Sequence, residues 1–176
     1  METNLHNSYL FKAIDTFDYN LEETIEALNY ALSYNSQDTH ALCLMGRIHS
    51  EKLQDYETAK TYFVEALAEG LETPHIYPHY IQTLILNDDY KEAENLIEFA
   101  FGVKGVDKGV LCLKKGQLHE AMEEYPLALS ALKQAKKGGL NNDFVDYVKG
   151  EISRVKNKMN PKKKKKNKKK PAKSTK

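Results

Sequence analysis

Apolar residues along the chain recur at steps of three and four, and no stretch alternates with the two-residue period of a strand. The clearest runs are Tyr56, Ala59, Phe63, Ala66; Tyr90, Ala93, Ile97, Ala100; and Tyr125, Ala128, Leu132, Ala135. Each series falls on one face of a helix. A fainter copy, Leu21, Thr24, Leu28, Ala31, stands near the start, with Tyr9 to Phe17 as a helix before it. Upstream of each Tyr lies another amphipathic run. Leu42-Cys43-Leu44 and Leu111-Cys112-Leu113 stand fourteen residues ahead of Tyr56 and Tyr125, counted from the Leu. The pattern predicts an all-α chain built of antiparallel helix pairs.

Punctuation agrees with this division. Asp55 and Asp89 stand where second helices need caps, Asn20 with Glu23 has capping-box spacing, and Pro126 falls in a first turn, where its missing N–H costs nothing. Gly70, Gly102 and Gly138-Gly139 mark helix ends. Pro78 is tolerated only if the third unit's first helix begins near Ile76. Gly46 and Gly116 predict close approach of paired backbones. After Asn142, Phe144, Val148, Ile152 and Val155 predict an end helix that packs on Leu129 and Leu132.

The repeating Tyr is spaced by 34 and 35 residues, and a period of this length signals a repeat architecture. Met45-Gly46, Tyr56, Ala59, Phe63 and Ala66 together resemble the tetratricopeptide repeat family. The resemblance covers roughly residues 5–140 and implies a right-handed α-solenoid of about four helix pairs. Its units are about 5–38, 39–73, 74–107 and 108–141, followed by a solvating end helix over 143–158. The repeat domain is then 1–158 and a disordered Lys-rich tail fills 159–176. The chain departs from the family in having no Trp, in closing a unit with proline only at Pro74, and in one extra residue between Gly46 and Tyr56.

In such solenoids first helices line the concave surface. The resemblance therefore implies a partner-binding groove carrying Tyr9, His40, Cys43, Arg47, His75, His79, Gln82, Lys114, Gln117 and Glu120. Some family members clamp a partner's C-terminal carboxylates with Lys and Asn on three first helices. The matching places here hold residues such as Tyr9, Ala13, Leu44 and His75, so that ligand is not expected.

Charge sharpens the picture. The first hundred residues hold 18 acids and five bases, a net −13, and residues 1–160 carry 16 bases against 25 acids. All ten bases after Asn160 are Lys. A basic partner segment is favoured at the repeats, and the tail, centred on Lys162, Lys163, Lys164, Lys165, Lys166, Lys168, Lys169 and Lys170, suits a polyanion. With no aromatic to stack on bases and no Arg fork, RNA binding by the tail would be non-specific.

Other chemistry is sparse. No phosphate loop, dinucleotide fingerprint, paired metal cysteines or nucleophile motif occurs, so neither catalysis nor a cofactor is expected. His75 and His79, four apart, could meet a metal with His40 or Cys43, but no second ligand pair has metal-site spacing, and polar recognition is the stronger reading. His49 and His119 sit at a position that usually holds a ring between paired helices. Cys43 and Cys112 occupy equivalent places and suit packing, with Lys114 and Lys115 making Cys112 the more readily ionised. Two cysteines, no apolar run long enough for a membrane span and no secretory leader predict a cytoplasmic protein, nuclear if the Lys tail is read as an import signal. The sequence thus points to a non-catalytic adaptor, with an RNA- or ribosome-associated factor as the alternative.

Overall fold

The computed structural model describes the backbone of residues 2–160 and the side chains of residues 7–160. The described residues are helical with no strand. In order they form α1 (Glu2–Thr16), α2 (Leu21–Tyr34), α3 (Thr39–Arg47) running into a π-helical turn (Ile48–Lys52), α4 (Tyr56–Ala68), α5 (Tyr77–Leu86), α6 (Tyr90–Ala100), α7 (Lys108–Ala121), α8 (Tyr125–Gly138) and α9 (Asn142–Met159). They divide into two compact units, Met1–Asp107 and Lys108–Lys176.

In both units the dominant packing is within consecutive pairs: α1 with α2, α3 with α4, α5 with α6 and α7 with α8. The last pair runs antiparallel. Gly109 faces Gly138, Cys112 faces Gln134 and Gly116 faces Leu132, so one helix advances as the other retreats. All nine residues of the repeated Ala/large/Ala columns are buried, from Ala59, Phe63 and Ala66 to Ala128, Leu132 and Ala135. Burying a ring such as Phe63 contributes about 1.5–3 kcal/mol. It can do so only because Gly46 lies beneath it: a Cβ there would stand 2.9 Å from the ring. At the equivalent Gly116 a Cβ would meet Leu132 Cγ at 2.6 Å and the Ala128 carbonyl at 3.3 Å.

The repeated Tyr residues each open a second helix, and the turn before them is conserved in shape. Gln54, Asp88 and Glu123, two residues ahead, take the left-handed conformation with φ of 56°, 62° and 61°. The next N–H then reaches back to the first helix: Asp55 to the His49 carbonyl at 2.8 Å, Asp89 to Leu84 at 2.9 Å and Glu124 to His119 at 2.8 Å. The second unit's turn spans five residues, whereas His49 to Asp55 spans six. That is the extra residue seen in the sequence, and the π-turn Ile48–Lys52 absorbs it without changing the turn that follows.

Two of the three caps read from the sequence, Asn20 and Asp55, are present, and Asp38 and Asn141 add two more. Asn20 Oδ1 accepts the Glu23 N–H at 3.2 Å while Asn20 Nδ2 donates to the Glu23 carboxylate at 2.8 Å. Asp38, Asp55 and Asn141 cap α3, α4 and α9 through their side chains. Helix α5 begins at Tyr77 with Pro78 in its first turn. Asp89 differs. It precedes α6 but makes no side-chain cap, because its carboxylate takes Lys60 Nζ at 2.8 Å and Asn87 Nδ2 at 2.7 Å. The ion bond between pairs occupies the carboxylate that would otherwise cap the helix.

In the second unit, Val148 and Val155 of α9 are fully buried against Leu113, Ala128, Leu132 and Ala135, with Phe144 and Ile152 half-buried beside them. The end helix is present as expected, though its valines rather than Phe144 lie deepest.

The helix-pair geometry predicts opposite effects at two glycine-related positions. Gly116→Ala gains about 1 kcal/mol of helix propensity but overpacks against Leu132 and the Ala128 carbonyl, which costs about 1–3 kcal/mol, so a net loss is expected. Gln54→Gly relieves a left-handed residue on an exposed turn and is expected to gain about 0.5 kcal/mol. Urea unfolding midpoints of the two variants, measured beside the parent chain, check both signs.

Candidate functional site

Helix α3 reads Thr39-His-Ala-Leu-Cys-Leu-Met-Gly-Arg47, and its N-terminus is fixed by Asp38, whose Oδ1 accepts the Ala41 N–H at 2.7 Å. Once that turn is set, His40, Cys43, Leu44 and Arg47 fall on one face. His75, in the turn before α5, and His79, in its first turn, meet them. With Ile14, Phe17 and Asp18 from the end of α1 they enclose a cleft of about 390 Å³ in the first unit. Five of the expected groove residues, His40, Cys43, Arg47, His75 and His79, thus converge on one site. A larger depression along α1, from Asn7 to Tyr19, is walled by that helix and its end alone, and brings no second element into play.

The cleft has an apolar floor and a polar wall. Phe17 is buried, and the Arg47 guanidinium lies 4.2 Å from its ring centroid with Lys52 Nζ at 4.8 Å. Arg47 also forks onto Glu51, with Nε to Oε1 at 2.8 Å and Nη2 to Oε2 at 3.2 Å. His79 Nδ1 approaches the same carboxylate at 3.6 Å. Burial alone would push Glu51 upward, but the hydrogen bonds from His79 and Arg47 outweigh it and hold the carboxyl at about 2. The Cys43 thiol is pushed up to about 12 by burial, with Arg47 pulling the other way, and it stays protonated. Cys43 therefore contributes packing, not nucleophilicity.

His40 and His75 stack face to face, centroids 4.0 Å apart and planes at 4°. Parallel rings direct their in-plane nitrogen lone pairs side by side instead of toward one point. Among the described residues no three His, Cys, Asp or Glu side chains stand where they could hold one metal ion.

The remaining expected residues lie elsewhere. Tyr9 packs on its own partner helix, stacked on Tyr30 at 5.0 Å and Tyr34 at 6.1 Å. Gln82 is half-buried one turn beyond His79 and outside the cleft lining. In the second unit Gln117 donates to Glu151 at 3.2 Å, and Glu120, 5% exposed, takes Arg154 and then Lys158 at 2.8 Å, all from α9. Lys114 adds positive charge near Glu151. These residues seat the end helix, which covers the face that the repeat pattern assigned to a groove. His49 stacks on Tyr62 at 5.3 Å, and buried His119 pairs with Glu124 at 2.8 Å, both inside their own helix pairs. Lys162 to Lys170 lie outside the described residues.

Sequence reasoning missed Ile14, Asp18, Leu44 and Glu51. The spacing of Ile14 and Phe17 fits the inner face of α1, but nothing in the linear pattern links them to Arg47. The negative charge of this unit is also distributed unexpectedly: among the described residues Asp18 lines the cleft and Glu51 borders it through Arg47 and His79, while Glu22, Glu26, Glu65, Glu69, Glu92 and Glu98 are exposed on the second helices and α4's end.

No family model matches the chain, and no curated protein matches it. Among the described residues no helix is long and apolar enough to cross a membrane.

The Glu51 cluster makes a pH prediction. Its folded value is depressed, so its contribution is fully present above the ordinary 4.5 and is lost as pH falls from there toward about 2. Glu51→Gln is expected to lower stability at neutral pH by about 1 kcal/mol or less, since the group is partly exposed, and to flatten the acid limb of the profile. Urea unfolding of parent and variant at neutral and acid pH measures both.

Proposed function

We propose that the chain is a non-catalytic adaptor of the tetratricopeptide type, whose first helices present a concave surface to a segment of another protein. The observation that carries this reading is the cleft of the first unit. Three successive first helices contribute to it, and it joins an apolar floor of Ile14, Phe17 and Leu44 to hydrogen-bonding groups on His40, His79 and Arg47. That combination suits a peptide, which anchors one apolar side chain and needs its backbone polar groups satisfied at the rim. Residues 1–107 hold 19 acids and six bases, which favours a basic segment for the flanking contacts. The right-handed solenoid and the cytoplasmic setting belong to the same proposal.

Replacing His40, Arg47 and His79 together with Ala tests it. Affinity capture from the native cell with the parent chain is expected to recover a partner that the triple variant loses while keeping its helical circular dichroism. Equal recovery by both would reject the cleft as the binding surface.

A second reading rests on composition alone. Ten Lys among residues 161–176 form a polycation that would hold RNA or a ribosome while the helical units engage something else. Deleting 161–176 is expected to abolish RNA retention without changing the unfolding midpoint, and retention by the full chain is expected to fall steeply with salt. Equal RNA binding after truncation would remove this reading.

A further inference from the structure

The His40–His75 stack bridges two helix pairs. His40 is the second residue of α3, and His75 lies in the turn just before α5. The neighbour of His75 in sequence, Ile76, is fully buried among Leu42, Cys43 and Phe63, the apolar cluster that joins the second and third pairs. A movement of His75 therefore pulls on the core of that joint.

The stack has the geometry of two uncharged rings. Neutral imidazoles at 4.0 Å and 4° attract by dispersion, whereas two imidazolium rings in the same place put like charges at contact distance. His75 Nε2 is buried and has no hydrogen-bond partner. Charging the ring would make that atom a buried N–H donor with no acceptor, which the folded chain must either expose or leave unsatisfied.

The surrounding charges leave the balance on the neutral side. Burial lowers the proton affinity of His75 below the ordinary 6.5, and His40 and then His79 lower it further, while the bond to the Thr39 backbone and the charge of Asp38 raise it. Asp38 is already engaged as the α3 cap, and Glu51 across the cleft is taken by Arg47 and His79. Asp18 and Cys43 line the cleft as well, and Tyr62 of α4 with Tyr80 of α5 borders the apolar cluster.

We infer that the His40–His75 stack is an acid-sensitive latch, closed when both rings are neutral and opened by protonation, so that mild acidification loosens the joint between the second and third helix pairs. The sign follows from linkage. A histidine that binds its proton less readily in the folded chain stabilises it above 6.5, and that stability is lost as pH falls through 6.5 toward the folded value. Histidine is suited to this window because its charge changes near neutrality. The inference concerns the joint itself and holds whether or not the cleft seats a partner.

Nuclear magnetic resonance of the full chain tests it. The His Cε1–Hε1 correlations are followed between about pH 8 and pH 5, together with amide exchange corrected for its intrinsic pH dependence. Three results are expected. His75 titrates below the ordinary histidine value, and its midpoint moves upward in His40→Ala. The ring-current shifts of the two stacked rings vanish together on acidification. Exchange at residues 39–43 and 75–79 rises several-fold while residues 20–34 stay protected. His75→Gln, which cannot be charged, is expected to abolish the pH dependence of that exchange, and circular dichroism verifies that each variant is folded. If His75 titrates at the ordinary value in both the parent chain and His40→Ala, or if the stack survives at the acid end, the latch is overturned. Should both variants unfold, the parent titration and its exchange pattern still decide the question.

Discussion

The distance between the two helices of a pair is the constraint from which the rest of this molecule follows, and it is set by atoms that the side chains lack. Gly46 under Phe63 and Gly116 under Leu132 leave room for one large group and no more. The flanking alanines, fully buried in the last three repeats, keep the backbones close above and below it. Close backbones require a short connection. In the three-residue connections of the last three pairs one residue, Gln54, Asp88 or Glu123, takes the left-handed conformation. The pair is therefore rigid because its core is thin and leaves little room for rearrangement.

Contacts between pairs in the first unit have a different character. Small side chains on the second helices leave less apolar area for the joints, and polar groups complete them. Thr83 donates to Ser50 at 2.8 Å in a buried position, Lys60 reaches Asp89, and Asn87 donates to Glu57 at 2.8 Å. The buried Thr83–Ser50 bond contributes about 0.5–1.5 kcal/mol, whereas the ionised contacts are largely solvated and act more on geometry than on stability. They also depend on orientation and, where ionisable, on solution conditions. The cleft, with its Arg47–Glu51–His79 cluster and its stacked histidines, is the most elaborate of these polar joints.

Much of the fold was legible because each repeat states the same local rules. The three-four-three step places the buried column, an Asp or Asn marks most helix starts, and glycines mark the ends. The extra residue between Gly46 and Tyr56 was visible as a count, but a loop and a π-turn absorb one residue equally well, and only packing chooses between them. Asp89 misled because a cap and an inter-pair ion bond call for the same carboxylate. The candidate site was half legible. Helical spacing brings His40, Cys43 and Arg47 together, and the repeat period brings His75 and His79 beside them. Tyr9, Gln117 and Glu120 went astray because periodicity assigns a residue to a face without saying what covers it. In the second unit the covering element is α9, whose Arg154 and Lys158 neutralise a glutamate that would otherwise be expensive to bury.

The two thiols have a practical consequence. They look like repeats of one another in sequence, yet Cys43, although it borders the cleft, is buried and held protonated, while Cys112 is only half-buried beside Gln134. A thiol-selective reagent acting on the native chain would therefore find a single address, on α7. The parent sequence, without any substitution, can carry one fluorophore or spin label in its second unit. A second label introduced by substitution in the first unit would then make the spacing of the two units measurable.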